Sequence, residues 1–150
     1  MKRIVAARKL LAVERDATLQ ELKTIYRNFM KEWHPDRIQD NLAAKQEAEE
    51  RSAAFIDAYH LLVSVAPETH ENQRDQYEQT VNNSRLIDFQ YKGTTLLINF
   101  ADGGSYEYFA VPRSVYNNLI NSSTPDRFTR RHIYHSYVYR RASKAMEFAG

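Results

Sequence analysis

From Leu19, apolar residues recur at three- and four-residue spacing: Leu22, Tyr26, Phe29, Met30 and Trp33 fall on one side of a helix. Thr18 precedes the run and Glu21 follows three residues on, the pattern of a capping box. Together they predict an amphipathic helix of roughly four turns. A second run from Leu42 to Ala66 sets Ala48, Ser52, Phe55, Ile56, Tyr59, Leu62 and Val63 along one side, and Pro67 ends it. Two such stripes joined by a polar connection bury each other most simply as an antiparallel helical hairpin, with a short helix from Ile4 to Val13 lying across it.

Beyond Ser84 the period changes from a helical one to two. Ile87, Phe89 and Tyr91 alternate with polar neighbours, and after Lys92-Gly93 the residues Leu96, Ile98 and Phe100 share one face of a second strand. Asp102-Gly103-Gly104 supplies positive-φ residues for a tight turn into a third strand, Ser105 to Val111. Pro112 suits the first position of a helix whose stripe is Val115, Tyr116, Leu119 and Ile120. A last segment from Asp126, with Phe128, Ile133 and Tyr137, reads as helical. The fold class is therefore α+β. An all-α hairpin with short flanking helices occupies residues 1–80, and a three-stranded antiparallel meander with two helices occupies 84–150. The polar stretch from Gln79 to Ser84 is the expected boundary.

Charge follows the same division. The first 80 residues carry two more acids than bases and the remainder four more bases than acids, so the net +2 of the chain hides a change of sign. The absence of cysteine excludes disulfide frameworks, zinc fingers, iron–sulfur ligation and thiol nucleophiles, and fits a reducing, cytoplasmic setting. No apolar run is long enough for a membrane span. Lys2 and Arg3 before Ile4-Val5-Ala6-Ala7 sketch a signal peptide, but Arg8 and Lys9 interrupt it.

Between the paired helices stands His34-Pro35-Asp36, followed by Arg37. Proline drives His34 out of helical conformation and cannot prolong the helix, so the chain must turn, holding an imidazole and a carboxylate on a stiff corner. With Glu21-Leu22-Lys23, Tyr26, Ala58-Tyr59-His60-Leu61-Leu62 and Gln73-Arg74 before Tyr77-Glu78, this half of the chain resembles a J-domain, the module of DnaJ-type co-chaperones.

The resemblance implies an activity exerted on a partner. J-domains dock on the ATP-bound DnaK-type chaperone and accelerate its ATP hydrolysis, which traps a client protein. Carried over, Asp36 pairs with a partner arginine, His34 and Pro35 shape the contact, Arg37 adjoins it, and Lys23, Arg27 and Lys31 steer toward an acidic surface. Those three bases lie four apart on one helix face. Two departures stand out. Thr24, Asn28 and Glu32 make the second helix less basic than is common, and Ser52 occupies a position often filled by phenylalanine, with Phe55 one turn on to supply bulk.

From Ser84 to about Arg141 the chain resembles the KTSC domain, a family related to a C-terminal segment of some lysyl-tRNA synthetases. Tyr91, Leu96, Phe100, Gly104, Tyr106, Tyr108, Val111-Pro112, Tyr116, Leu119, Phe128, Ile133, Tyr137 and Tyr139-Arg140 carry the likeness. Ser122-Ser123-Thr124-Pro125 stands where the family has a small glycine-containing stretch. Residues 127–144 hold Arg127, Arg130, Arg131, Arg140, Arg141 and Lys144 without an acid, interleaved with Tyr134, Tyr137 and Tyr139. Arginines on phosphates and tyrosines under bases make RNA the alternative partner, set against a solvated helix face with core tyrosines, which the near-neutral chain favours. His132 and His135 have helical metal-ligand spacing without an evident third ligand, so neither metal nor cofactor is expected. No catalytic constellation is present, and no enzymatic activity of its own is expected.

Overall fold

The computed structural model describes residues 2–33 and 42–142. The chain forms two compact units, residues 1–71 and 72–150.

The first unit contains α1 (Lys2–Leu11), α2 (Leu19–Trp33), α3 (Leu42–Val65) and the start of α4 (Pro67–Asn83). Both α1 and α2 pack on α3. Ile4, Ala7 and Leu11 of α1, Leu22 of α2, and Ala48, Phe55, Ala58, Leu61 and Leu62 of α3 are buried. Aromatic pairs complete the α2–α3 seam. Tyr26 stacks on Tyr59 with centroids 4.3 Å apart, and Phe29 lies flat against Phe55 at 3.7 Å. Thr18 Oγ1 accepts the Glu21 amide at 3.1 Å, as the capping pattern requires, and the Leu19 amide donates to Glu68 Oε1 at 2.9 Å. An N-terminal amide that the helix cannot pair is thus satisfied by a carboxylate.

Ser52 is buried, and its hydroxyl donates to the Trp33 carbonyl at 2.9 Å. The small residue is therefore tied into the seam by a hydrogen bond. It satisfies an orphan carbonyl at the end of α2, while Phe55 supplies the aromatic bulk against Phe29.

The second unit begins inside α4 and continues through β1 (Leu86–Lys92), β2 (Thr95–Phe100), β3 (Ser105–Tyr108), α5 (Arg113–Asn121), α6 (Pro125–His132) and β4 (Tyr139–Arg141). The sheet is antiparallel in the order β1-β2-β3-β4, so it has four strands rather than the expected three. The last segment is helical only to His132. It then turns and returns as β4, pairing Tyr139 with Tyr108, Arg140 with Glu107 and Arg141 with Tyr106. β3 stops at Tyr108 instead of running to Val111, because the backbone turns at Ala110, where φ is 60°. Of the two adjacent glycines in the β2–β3 turn, Gly103 alone takes a positive φ, 90°. Pro112 is the residue before α5 rather than its first.

The expected face of β1 is also corrected. The register shifts between Leu86 and Asp88, a bulge that leaves Ile87 62% exposed and brings Leu86 to the core beside Phe89 and Tyr91. An extra residue reverses which side chains point inward, so simple alternation failed here. Leu96, Ile98 and Phe100 do line the core face of β2 as expected.

The core of this unit gathers Tyr77 and Val81 from α4 with Leu96, Ile98, Phe100, Tyr106, Tyr108, Val111, Leu119, Ile133 and Tyr134. The packing division accordingly falls between Glu71 and Asn72, inside α4, whereas the polar stretch read as a boundary lies at that helix's end.

Candidate functional site

α2 presents two unlike faces. Tyr26, Phe29, Met30 and Trp33 are half-buried toward α3, whereas Lys23, Arg27 and Lys31, one turn apart, are exposed. The periodicity that buries the aromatic stripe thus puts the three bases together on the outside. Lys31 also lies in the last turn of α2, where the helix dipole favours a cation.

The helix ends at Trp33, the residue before the His-Pro-Asp tripeptide. Trp33 is held twice from α3: Ser52 binds its carbonyl, and the Arg51 guanidinium sits 4.4 Å from its ring centroid. His34, Pro35, Asp36 and Arg37 themselves lie outside the described residues.

The basic, tyrosine-rich segment of the second unit does not form one surface. Arg127, Arg130 and Arg131 are exposed on α6, while Arg140 and Arg141 lie on β4 and Lys144 is outside the described residues. Successive strand residues point to opposite faces. On one, Arg140 is 20% exposed and makes two contacts with Glu107, itself 3% exposed, from Nε at 3.0 Å and Nη2 at 2.9 Å. On the other, Arg141 donates to Gln76 Oε1 at 2.6 Å. An arginine committed to a buried carboxylate has little left for a phosphate.

The tyrosines are core residues. Tyr77 donates to the Tyr134 carbonyl at 2.6 Å, and since a carbonyl can only accept, the 2.9 Å contact between the Tyr77 and Tyr108 hydroxyls has Tyr108 as donor. The Tyr139 ring stacks on Tyr77 with centroids 3.8 Å apart, and Tyr106 meets it edge-on. Burial pushes the Tyr77 and Tyr108 phenols well above the ordinary tyrosine range and that of Tyr134 up to about 12. His135 is 2.9 Å from Glu78, and His132 lies over Phe128. Among the described residues no three histidine or acidic side chains converge as metal ligands.

The sequence reading missed Glu107, whose burial depends on β4 pairing, and Tyr77, whose helical position gives no sign of the sheet it packs against.

Residues 9–78 match the family model of the DnaJ domain, and residues 82–137 match that of the KTSC domain. The chaperone protein DnaJ of Thermotoga petrophila is 44% identical over 54 residues, which cover 36% of this chain and 14% of the relative. That of Thermoplasma acidophilum is 39% identical over 72 residues, 48% of this chain and 17% of the relative. That of Hydrogenobacter thermophilus is 34% identical over 71 residues, 47% of this chain and 17% of the relative. The chain thus spans about one-sixth of the length of these relatives, within its first half.

Proposed function

We propose that this chain, a DnaJ domain followed by a KTSC domain, works as a J-domain co-chaperone. It docks on the ATP-bound form of a DnaK-type chaperone through His34, Pro35, Asp36 and Arg37 and accelerates that partner's ATP hydrolysis. The observation carrying this reading is the α2–α3 hairpin, whose first arm ends at Trp33 directly before the tripeptide and exposes Lys23, Arg27 and Lys31 on its outer face. Asp36 accepts from a partner arginine, and the three bases steer α2 onto an acidic surface. The chemistry is the partner's. This chain contributes binding energy that favours the hydrolysing conformation, and needs no catalytic group or cofactor of its own.

The KTSC segment is assigned the second task, targeting or client recognition in the cytoplasm. RNA binding is the weaker reading, since Arg140 is engaged by Glu107 and Tyr134 is buried. Association of the chain with an ATP-loaded DnaK-type protein tests the proposal. Binding should weaken with salt and with Lys23→Gln/Arg27→Gln/Lys31→Gln. Binding that ignores both would count against the docking face.

A further inference from the structure

A cleft of about 280 Å3 opens at one end of the sheet in the second unit, bounded by α4, the β2–β3 turn and the end of β4. Gln76 and Thr80 come from α4, Asp102 from the turn, Tyr106 from β3 and Arg141 from β4. Four parts of the fold, two strands, a helix and a turn, therefore deliver an amide, an alcohol, a carboxylate, a phenol and a guanidinium to one small space.

The carboxylate is held in place. Asp102 Oδ2 accepts from the Thr80 hydroxyl at 2.7 Å and Oδ1 from the Gly104 amide at 2.8 Å. Each oxygen keeps a second lone pair, and Arg141, which gives one N–H to Gln76, has four more. The Arg141 and Asp102 charges both act on the Tyr106 phenol, with opposite sign, so a cation and an anion stand within electrostatic reach of one hydroxyl.

Gly104 adds a separate observation. Its backbone is outside the positive-φ region that Gly103 occupies, so conformation does not require glycine there. Space is tight there instead: a Cβ would stand 3.1 Å from Asp102 Oδ1, 3.6 Å from the Tyr106 ring and 3.7 Å from Thr80 Cγ2. The missing side chain keeps open the space those three residues enclose.

The paired charges select the ligand. A phosphate would meet the Asp102 carboxylate and a metal cation would meet Arg141, so either ion alone is opposed by half of the site. A ligand carrying both signs a few bonds apart satisfies both halves. The volume lies just under the roughly 300–1,000 Å3 of drug-sized sites, which suits a compact head group rather than a nucleotide. We propose that this cleft binds the zwitterionic head of a free α-amino acid, its carboxylate on Arg141 and its ammonium on Asp102, with the Tyr106 and Thr80 hydroxyls flanking them.

The test is a titration of the full chain with glycine and with L-alanine, followed by backbone amide NMR shifts, with sodium acetate and methylammonium chloride as single-charge controls. Saturable shifts at Gly103, Gly104, Ser105 and Arg141 with the amino acids, and much weaker ones with either control, are expected. Asp102→Asn and Arg141→Gln should each weaken binding about tenfold or more, the loss of one charge-assisted contact. Gly104→Ala should weaken it by filling the cradle. Arg141 is exposed and Asp102→Asn keeps the acceptor for the Gly104 amide, so the amide spectrum itself reports that the fold survives. No shift at these residues, equal shifts with acetate alone, or amino-acid binding indifferent to both charge substitutions would overturn the assignment.

Discussion

The Ser52 hydroxyl donates to the Trp33 carbonyl at 2.9 Å, and the neighbouring Arg51 guanidinium covers the Trp33 ring. Two consecutive residues of α3 thereby hold the last residue of α2, which directly precedes His34-Pro35-Asp36 in sequence. Ser52→Ala removes the donor and leaves a part-buried carbonyl unpaired, a cost of about 1–3 kcal/mol. Urea denaturation of the wild-type and substituted chains measures it. An unchanged midpoint would mean that the carbonyl finds another donor.

The seam itself depends on Phe55, which is buried flat against Phe29. Phe55→Ala deletes the closer of the two ring stacks between the arms described above and should cost about 3–5 kcal/mol, as large-to-small changes in packed cores do. Phe55→Leu should cost less. The same unfolding experiment separates them, with loss of helical circular dichroism as the signal.

Where the second unit begins is decided by Tyr77. Its hydroxyl bridges Tyr108 and the Tyr134 carbonyl, and its ring stacks on Tyr139, although it lies nine residues before β1 begins at Leu86 in the helix that α3 leads into. A fragment starting at residue 82 lacks Tyr77, Thr80 and Val81 and should fail to fold, whereas one starting at residue 67 keeps them. Tyr77→Phe should cost about 1–3 kcal/mol through the unpaired Tyr134 carbonyl. Well-dispersed amide NMR signals from the shorter fragment would contradict this placement.

Alkaline pH acts on the same cluster. The phenols of Tyr77, Tyr108 and Tyr134 titrate above the ordinary value, near 10, because burial disfavours the phenolate. In the unfolded chain they ionise near pH 10, so the folded state holds protons that the unfolded state has lost. Stability is therefore complete below that pH and falls as the pH rises from about 10 toward the folded values. Tyrosinate absorbance should show these three groups still protonated above about pH 10, until unfolding releases them together. Simultaneous ionisation of all tyrosines near pH 10 in the folded chain would contradict it.

The arginines divide by structural role. Breaking the Arg140–Glu107 pair with Arg140→Met takes the arginine's charge from a nearly buried carboxylate and should cost less than the roughly 3–5 kcal/mol of a fully buried pair, given the partial exposure of Arg140. Arg127→Gln/Arg130→Gln/Arg131→Gln on the exposed face of α6 should leave stability within about 0.5 kcal/mol. Thermal unfolding distinguishes the two sets, and equal losses would mean that α6 also uses its arginines structurally.

Much of the first unit was legible because helical periodicity is a strong signal. Leu22 and Phe55 fall on the faces that bury, and Thr18 caps as its spacing requires. The second unit was harder to read for local reasons. One bulge moved Ile87 outward, and Tyr139-Arg140-Arg141 is too short and too charged to announce a strand, becoming one through Glu107 and the partner backbone of β3. Tyr134 and Tyr139, interleaved with bases in sequence, turn inward because Tyr77 waits for them on α4. A one-dimensional pattern carries no trace of that partner.

The most direct test of the co-chaperone reading is single-turnover ATP hydrolysis by a DnaK-type chaperone with and without this chain. The account predicts acceleration by the wild-type chain, abolished by Asp36→Asn and by His34→Gln while both variants keep the wild-type helical spectrum. Hydrolysis that does not change on adding the chain, or acceleration that survives both substitutions, would contradict it.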